Sequence, residues 1–107
     1  MKLLTKAIEK KLIKQSGDAS DKPYLKLFAP WGAATWLISE YDPETKIMFG
    51  LCDLGLGSPE LGYVSLDELE GVLGFGGLSI ERDLIFEPEM TLAEYASEAR
   101  KNGRIDA

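Results

Sequence analysis

The middle of the chain limits the possible folds more than any other part, because residues 24–64 divide into four short, strand-like segments joined by turns. Apolar and polar side chains alternate in the first two segments, as they do in strands with one buried face. The third segment is apolar on both faces, which predicts a central strand covered from both sides. The short turns favour an antiparallel meander, since parallel strands need longer crossovers. The predicted strands are 24–29, 34–41, 46–53 and 61–64.

Three finer predictions follow from the same patterns. Alternation within 34–41 predicts that Trp36, Ile38 and Glu40 share one face of the sheet. A fifth short strand is predicted over 84–86, before a proline that would end it. The third segment also contains the cysteine, so we expect a buried and unreactive thiol.

Three segments carry the start and stop signals of helices. Residues 4–15 place apolar side chains at helical spacing, and Thr5 is a suitable N-cap. Ser65 and Thr91 are each followed three residues later by glutamate, which predicts two capping boxes and two further helices. Gly103 is suited to end the last of these helices.

Length and composition suit a single folded domain. The chain has 107 residues, of which 45% are apolar and 28% are charged, as in ordinary globular proteins. Residues 16–23 are rich in turn residues and predict a loop. Together the elements predict an α+β fold, a single domain over 1–107. Its mainly antiparallel sheet should have four to five strands, with two to three helices packed on it.

Several kinds of chemistry are excluded by what the chain lacks. It contains no histidine, which removes His-based general-base catalysis and nearly all zinc and haem sites. Its one cysteine, Cys52, has no partner for an intramolecular disulfide. Neither glycine cluster matches a dinucleotide-binding fingerprint, since Glu60 and Ser79 stand where the third glycine belongs. We therefore predict no cofactor and no metal.

Charge is distributed unevenly along the chain. Residues 1–26 contain seven lysines and three carboxylates, whereas residues 27–107 contain five basic and fifteen acidic side chains. With a net charge of −6, the acidic body should repel nucleic acid and attract a protein partner with a basic surface. Charged residues interrupt any signal-peptide-like start, and no apolar run is long enough to span a membrane. These features predict a cytoplasmic protein that does not bind membranes.

Clustered carboxylates and one aromatic residue make up the predicted partner surface. Three carboxylates lie around the turn at 42–45, and three lie on the helix that follows Ser65. Trp31 stands in a Pro-Trp-Gly turn, where an aromatic side chain could serve as an exposed anchor or could pack into the core. The lysine-rich first helix is the competing surface, although lysines there also suit the solvated face of an amphipathic helix. The predicted contact residues are Trp31, Glu40, Asp42, Glu44, Asp67, Glu68 and Glu70.

A second set of charged residues offers a chemical alternative. Asp53 and Glu60 flank a glycine-containing loop, and Glu81 and Asp83 flank Arg82. If these carboxylates converged, they could hold Mg²⁺ or Ca²⁺, or act as an acid–base pair. If they do not converge, the first two are expected to accept hydrogen bonds from loop amides. The others are then expected to make surface or interstrand ion pairs.

Four stretches combine into a pattern that covers essentially the whole chain. They are Ala34-Thr35-Trp36-Leu37, Phe49-Gly50-Leu51-Cys52-Asp53-Leu54-Gly55, Pro59-Glu60-Leu61-Gly62-Tyr63-Val64-Ser65-Leu66 and Ile80-Glu81-Arg82-Asp83-Leu84. This combination resembles a family of short bacterial proteins, the DUF2958 type, known as a domain of unknown function. The resemblance implies a setting on plasmids, integrative elements and phages, near anti-restriction and conjugation genes. It implies no reaction, cofactor or catalytic residue.

Two functions are consistent with these observations. The favoured one is a non-enzymatic, acidic interaction protein of a mobile genetic element, which modulates a host defence or nucleic-acid-handling complex by protein–protein binding. The alternative is a small metal-dependent enzyme or accessory factor that uses the second carboxylate set. Carboxylates spread over a convex face would favour interaction, whereas carboxylates clustered in a cleft would favour chemistry.

Overall fold

The strand-like segments form one sheet that is antiparallel throughout. The computed structural model describes residues 2–15 and 21–107, so most of the predicted 16–23 loop lies outside the described residues. The strands are β1 (Leu25–Phe28), β2 (Thr35–Asp42), β3 (Ile47–Asp53), β4 (Glu60–Ser65) and β5 (Glu81–Arg82). Their spatial order is β4-β3-β2-β1-β5, which confirms the predicted α+β class and antiparallel sheet.

The first four strands form the predicted meander, in which each strand pairs with the next along the chain. The apolar strand β3 lies between β2 and β4. Met48 and Leu51 are fully buried in two different apolar clusters, so both faces of β3 are covered. The prediction of an interior strand over 46–53 is therefore confirmed.

The fifth strand lies earlier than the segment 84–86 predicted for it, so that prediction was wrong in position. β5 pairs with β1, and the N–H of Asp83 donates to the carbonyl of Lys26 at 2.9 Å. Asp83 Oδ1 then accepts from the N–H of Ile85 at 3.0 Å, which turns the chain away from the sheet. Leu84 and Ile85 beyond this turn are 72% and 89% exposed.

A bulge in β2 places Glu40 on the opposite face from the one predicted. The register with β3 passes from Ile38↔Gly50 to Glu40↔Phe49, which leaves Ser39 as an extra residue. One extra residue reverses the alternation of side chains beyond it. Glu40 therefore shares a face with Phe49, and Tyr41 takes its place beside the core that contains Ile38.

In the described part of the chain, three α-helices cover the two faces of the sheet. They are α1 (Lys6–Lys14), α2 (Leu66–Gly71) and α3 (Leu92–Asn102). The predicted caps Thr5, Ser65 and Thr91 each accept a hydrogen bond from the backbone N–H three residues later. Around Thr91 the capping box is complete, and Gly103 ends α3 in the left-handed conformation with φ of 73°. Among the described residues, none of the helices is long and apolar enough to cross a lipid bilayer.

The sheet separates two apolar cores. The first lies against α1 and α2 and includes Leu12, Leu27, Ile38, Met48 and Leu69. The second lies against α3 and consists of Leu37, Leu51, Leu92, Tyr95, Ala96 and Ala99. Burying apolar side chains on both faces is the main favourable contribution to stability in a sheet of this kind.

The side chain of Gln15 bonds to the backbone of β2 just beyond the end of its pairing with β1. Its Nε2 donates to the carbonyl of Ser39 at 2.7 Å and to that of Lys22 at 3.0 Å. Its Oε1 accepts from the N–H of Lys22 at 3.3 Å. One side-chain amide thus connects the end of α1, the segment before β1 and the bulge in β2.

Candidate functional site

A backbone hydrogen bond places the turn after β2 beside the start of α2. The carbonyl of Lys46, the last residue of that turn, accepts from the N–H of Leu66 at 2.9 Å. Two groups of predicted contact residues, remote in sequence, therefore form one surface. We call it the acidic surface, and its members are Asp42, Glu44, Asp67, Glu68 and Glu70, all of them exposed.

The phenol of Tyr41 lies near several carboxylates, of which Asp42, Asp67 and Glu70 belong to the acidic surface. Partial burial raises the pKa of Tyr41 above its ordinary value of 10.0, and four carboxylates raise it further. Those carboxylates come from α1, from the end of β2 and from α2. In order of effect they are Glu9, Asp67, Glu70 and Asp42. These carboxylates belong to segments that are remote in sequence, so they meet around one phenol only in the folded chain.

Two members of the acidic surface also hold neighbouring parts of the fold. Glu70 Oε2 accepts from the backbone N–H of Leu3 at 3.2 Å. Asp67 lies 3.6 Å from the ammonium of Lys46, with both side chains more than half exposed. Such exposed pairs stabilise a fold little. Glu68 is the member of α2 whose side chain is neither paired with a lysine nor bonded to the backbone among the described residues.

Glu68 stands at the edge of a hollow between α2 and β4. The hollow encloses about 400 Å³ and has an apolar lining that includes Trp36, Leu54 and Leu69. Tyr63 also lines it, and this side chain is 75% exposed. A carboxylate beside an apolar hollow can receive a side chain that has an aliphatic stem and a cationic head.

Tyr63 also borders a second hollow on the other face of β4. This one encloses about 300 Å³ and is lined by Glu40, Asp42 and Phe49 among others. The ring of Phe49 lies 5.0 Å from that of Tyr63, which gives the exposed ring a fixed support. An exposed aromatic residue on an edge strand therefore stands between two hollows, one bordered by Glu68 and the other by Glu40 and Asp42.

Trp31 is placed apart from this arrangement. It is partly buried against the first core. The backbone of Gly74 lies against its indole so closely that a Cβ there would be 2.1 Å from Trp31 Cδ2. The indole thus contacts the loop that follows α2.

The alternative carboxylate set is not brought together. Asp53 is buried, and its two oxygens accept from the N–H groups of Gly55 at 2.8 Å and Ile105 at 2.9 Å. Asp53 therefore joins the β3–β4 loop to the end of the chain. Its hydrogen bond from Gly55 is the bond to a loop amide that the sequence analysis expected. Glu60 begins the outer strand β4, whereas Glu81 lies on β5 at the opposite edge. Four strand spacings of about 4.8 Å separate these edges by roughly 19 Å.

The remaining two members of that set have contacts beside β5. Asp83 Oδ2 lies 3.5 Å from the ammonium of Lys26. The guanidinium of Arg82 donates to the carbonyls of Lys2 at 2.8 Å and Leu3 at 3.2 Å. Within residues 2–15 and 21–107, no three carboxylate or cysteine side chains are grouped so that they could hold a metal ion.

Cys52 is half-buried, and burial raises the pKa of its thiol from 9.0 to about 11. At neutral pH the thiolate, which is the nucleophilic form, is therefore scarce. This agrees with an unreactive thiol, although the side chain is less buried than the sequence predicted.

Comparison with protein-family models matches residues 2–106 to the family described as Protein of unknown function (DUF2958). The chain belongs to this family. The match confirms the resemblance drawn from the four sequence stretches. Searches among curated proteins and among solved structures found no match.

Two residues that shape the site in this DUF2958 chain were not predicted as contact residues. Tyr63 was assigned only to a short strand, because a sequence does not show which strand will lie at an edge. Leu54 was assigned to no element, because it follows the predicted strand 46–53, and its side chain is 62% exposed beyond the pairing of β3. The available signal was that both residues lie next to glycines in the sequence. Glycines mark loops and weak points in strands, where neighbouring side chains can be exposed.

Proposed function

We propose that this chain is a non-enzymatic interaction protein that binds a protein partner with a basic surface. The observation that carries the proposal is the exposed Tyr63 between two hollows bordered by Glu68, Glu40 and Asp42. Aromatic anchors surrounded by polar residues are typical of the parts of interfaces that contribute most to affinity.

The chemistry of the hollows suggests how the partner binds. An arginine or lysine of the partner can lay its aliphatic stem against Tyr63 and Leu54 and place its cation near Glu68. The exposed carboxylates Asp42 and Glu44 extend the negative field and speed encounter with a basic surface. Such an interaction weakens as salt rises, because the charges at its border are exposed.

We place this binding in the cytoplasm, with the partner in a host defence or nucleic-acid-handling complex and the chain as the product of a mobile element. Membership of the DUF2958 family supports this setting only through the genomic context that the resemblance implied. The physical support is that proteins acting on nucleic acids present basic grooves, which an acidic surface can occupy.

Affinity capture with matched variants tests the proposal. The immobilised chain is exposed to bacterial host lysate, and the retained protein is then measured against the purified chain at low salt. Tyr63→Ala should weaken binding about thirtyfold, as expected for an aromatic anchor. Glu68→Lys should slow association about tenfold, and this difference should shrink as salt rises.

Glu89→Lys is the matched control, because it reverses an exposed carboxylate in the segment before α3 and changes net charge by the same amount. It should leave affinity within about twofold, since it lies outside the proposed contact. If Lys6→Glu, Lys10→Glu and Lys14→Glu together abolished binding while Glu68→Lys left it unchanged, the partner surface would be the lysine helix and the proposal would be wrong.

A further inference from the structure

A cleft at the other edge of the sheet collects positive charge in an otherwise acidic chain. It lies between α1, β1 and the segment after β5, and it encloses about 390 Å³. That volume is in the range of small-molecule sites. Within residues 2–15 and 21–107, four cationic side chains line it: Lys11, Lys22, Lys26 and Arg82. We call this cavity the basic cleft.

Half of this charge is balanced by carboxylates within the lining, and Lys26 also donates to the carbonyl oxygen of Ala107. Among the described residues, the carboxylates that line the basic cleft are Asp83 and Glu87, so the lining carries an excess of two positive charges. Asp83 Oδ2 forms an ion pair with the ammonium of Lys26, at 3.5 Å. Arg82 donates to the carbonyls of two backbone residues, which orients its guanidinium without cancelling its charge. The net charge of the chain is −6, so this excess is a local concentration.

Aromatic rings support two of these cations. The ammonium of Lys11 lies 5.1 Å from the ring centroid of Tyr24. The ammonium of Lys26 lies 5.9 Å from that of Phe86. Cation–π contacts hold an ammonium in place without supplying a counter-charge.

We infer that the basic cleft binds a compact polyphosphate group, as carried by pyrophosphate or a nucleoside diphosphate. Ammonium groups act as point charges toward phosphate, and a guanidinium adds directed donors, so Lys11, Lys22 and Arg82 suit a multiply charged anion. Nucleic acid is disfavoured, because a strand that extends beyond the cleft would meet an acidic body with fifteen carboxylates among residues 27–107.

Isothermal titration calorimetry with pyrophosphate and with ADP tests the inference on the full chain. Lys11→Gln with Lys22→Gln removes two exposed ammonium groups from the lining and leaves Arg82, which ties down the N-terminal segment, intact. Both probes should bind the natural chain, and the double variant should bind them at least about tenfold more weakly. Lys10→Gln with Lys14→Gln is the matched control, because both lysines lie on α1 outside the lining, and affinity should stay within about twofold.

The two probes distinguish the sources of the phosphate group. Equal affinities for the two probes would show that the phosphates alone are recognised. Tighter binding of ADP would show that its base also contacts Leu84 or Phe86 at the cleft. Circular dichroism of each variant checks that the fold is retained. No binding of either probe, an equal loss in the control, or tighter binding of single-stranded oligothymidine than of ADP would overturn the inference.

Discussion

At the scale of single residues, two glycines opposite one another in the sheet have different roles. Gly50 on β3 pairs with Gly62 on β4. A Cβ on Gly50 would lie 2.0 Å from the carbonyl oxygen of Leu37 and 2.8 Å from the Cα of Ile38. These atoms belong to the backbone of β2 just before its bulge, so they cannot move aside as a side chain could. At Gly62 a Cβ meets nothing within 4 Å.

Gly50→Ala should therefore destabilise the fold by about 3 kcal/mol, since the added methyl forces β2 and β3 apart beside the bulge. Gly62→Ala should change stability by less than about 1 kcal/mol, with stabilisation expected because alanine restricts the unfolded chain. Urea denaturation of the two variants measures both effects. Equal losses would contradict the assignment of the close approach to Gly50.

At the scale of elements, helix ends were the most predictable part of the chain. An N-cap side chain and the N–H that it satisfies are three residues apart, so their pairing depends little on the rest of the fold. The three predicted caps are present for this reason. The fifth strand was misplaced because its position depends on β1, more than fifty residues earlier, and on the turn that Asp83 forms.

The complete capping box of α3 gives a prediction at this scale. Thr91→Ala removes the acceptor for the Glu94 N–H at 3.2 Å and should destabilise the fold by about 1 kcal/mol. Ser97→Ala is the control, because Ser97 is exposed in the middle of the same helix and alanine favours helix there. In thermal and urea unfolding, Thr91→Ala should be less stable than the natural chain, and Ser97→Ala should be at least as stable as it. The reverse order of stability would exclude the cap as a stabilising contact.

At the scale of the whole molecule, stability should depend on pH on the alkaline side. Burial raises the pKa of Cys52 to about 11, and burial together with nearby carboxylates raises the pKa of Tyr41 above 10.0. For both groups the folded state holds its proton at a pH where the unfolded state has lost it. Their contribution is therefore complete below about pH 9 and is lost as pH rises toward the folded pKa values.

Melting temperatures between pH 8 and 10.5 test this dependence. The natural chain should lose stability over that interval, and a variant with both Tyr41→Phe and Cys52→Ala should lose less of it. The comparison uses the slope of melting temperature against pH, because either substitution can shift stability by the same amount at every pH. Parallel curves for the two proteins would show that other groups cause the alkaline loss.

Charge at this scale is divided between two edges of the sheet. The acidic surface and Tyr63 lie beside β4 and α2, and the basic cleft lies beside β5 and α1. The sequence indicated a basic N-terminal part and an acidic remainder. It did not indicate that Arg82 would join Lys11 and Lys22, because that grouping needs β5 to pair with β1.

By itself, the sequence determined the strands of the meander, the helix caps and the α+β class. These features depend on alternation, helical spacing and turn residues within short stretches, where neighbours along the chain supply most of the interactions. Only the tertiary structure decided the face of Glu40, the position of β5 and the separation of Asp53 and Glu60 from Glu81. Each depends on register between distant segments, and a single extra residue, Ser39, is enough to reverse which side chains meet.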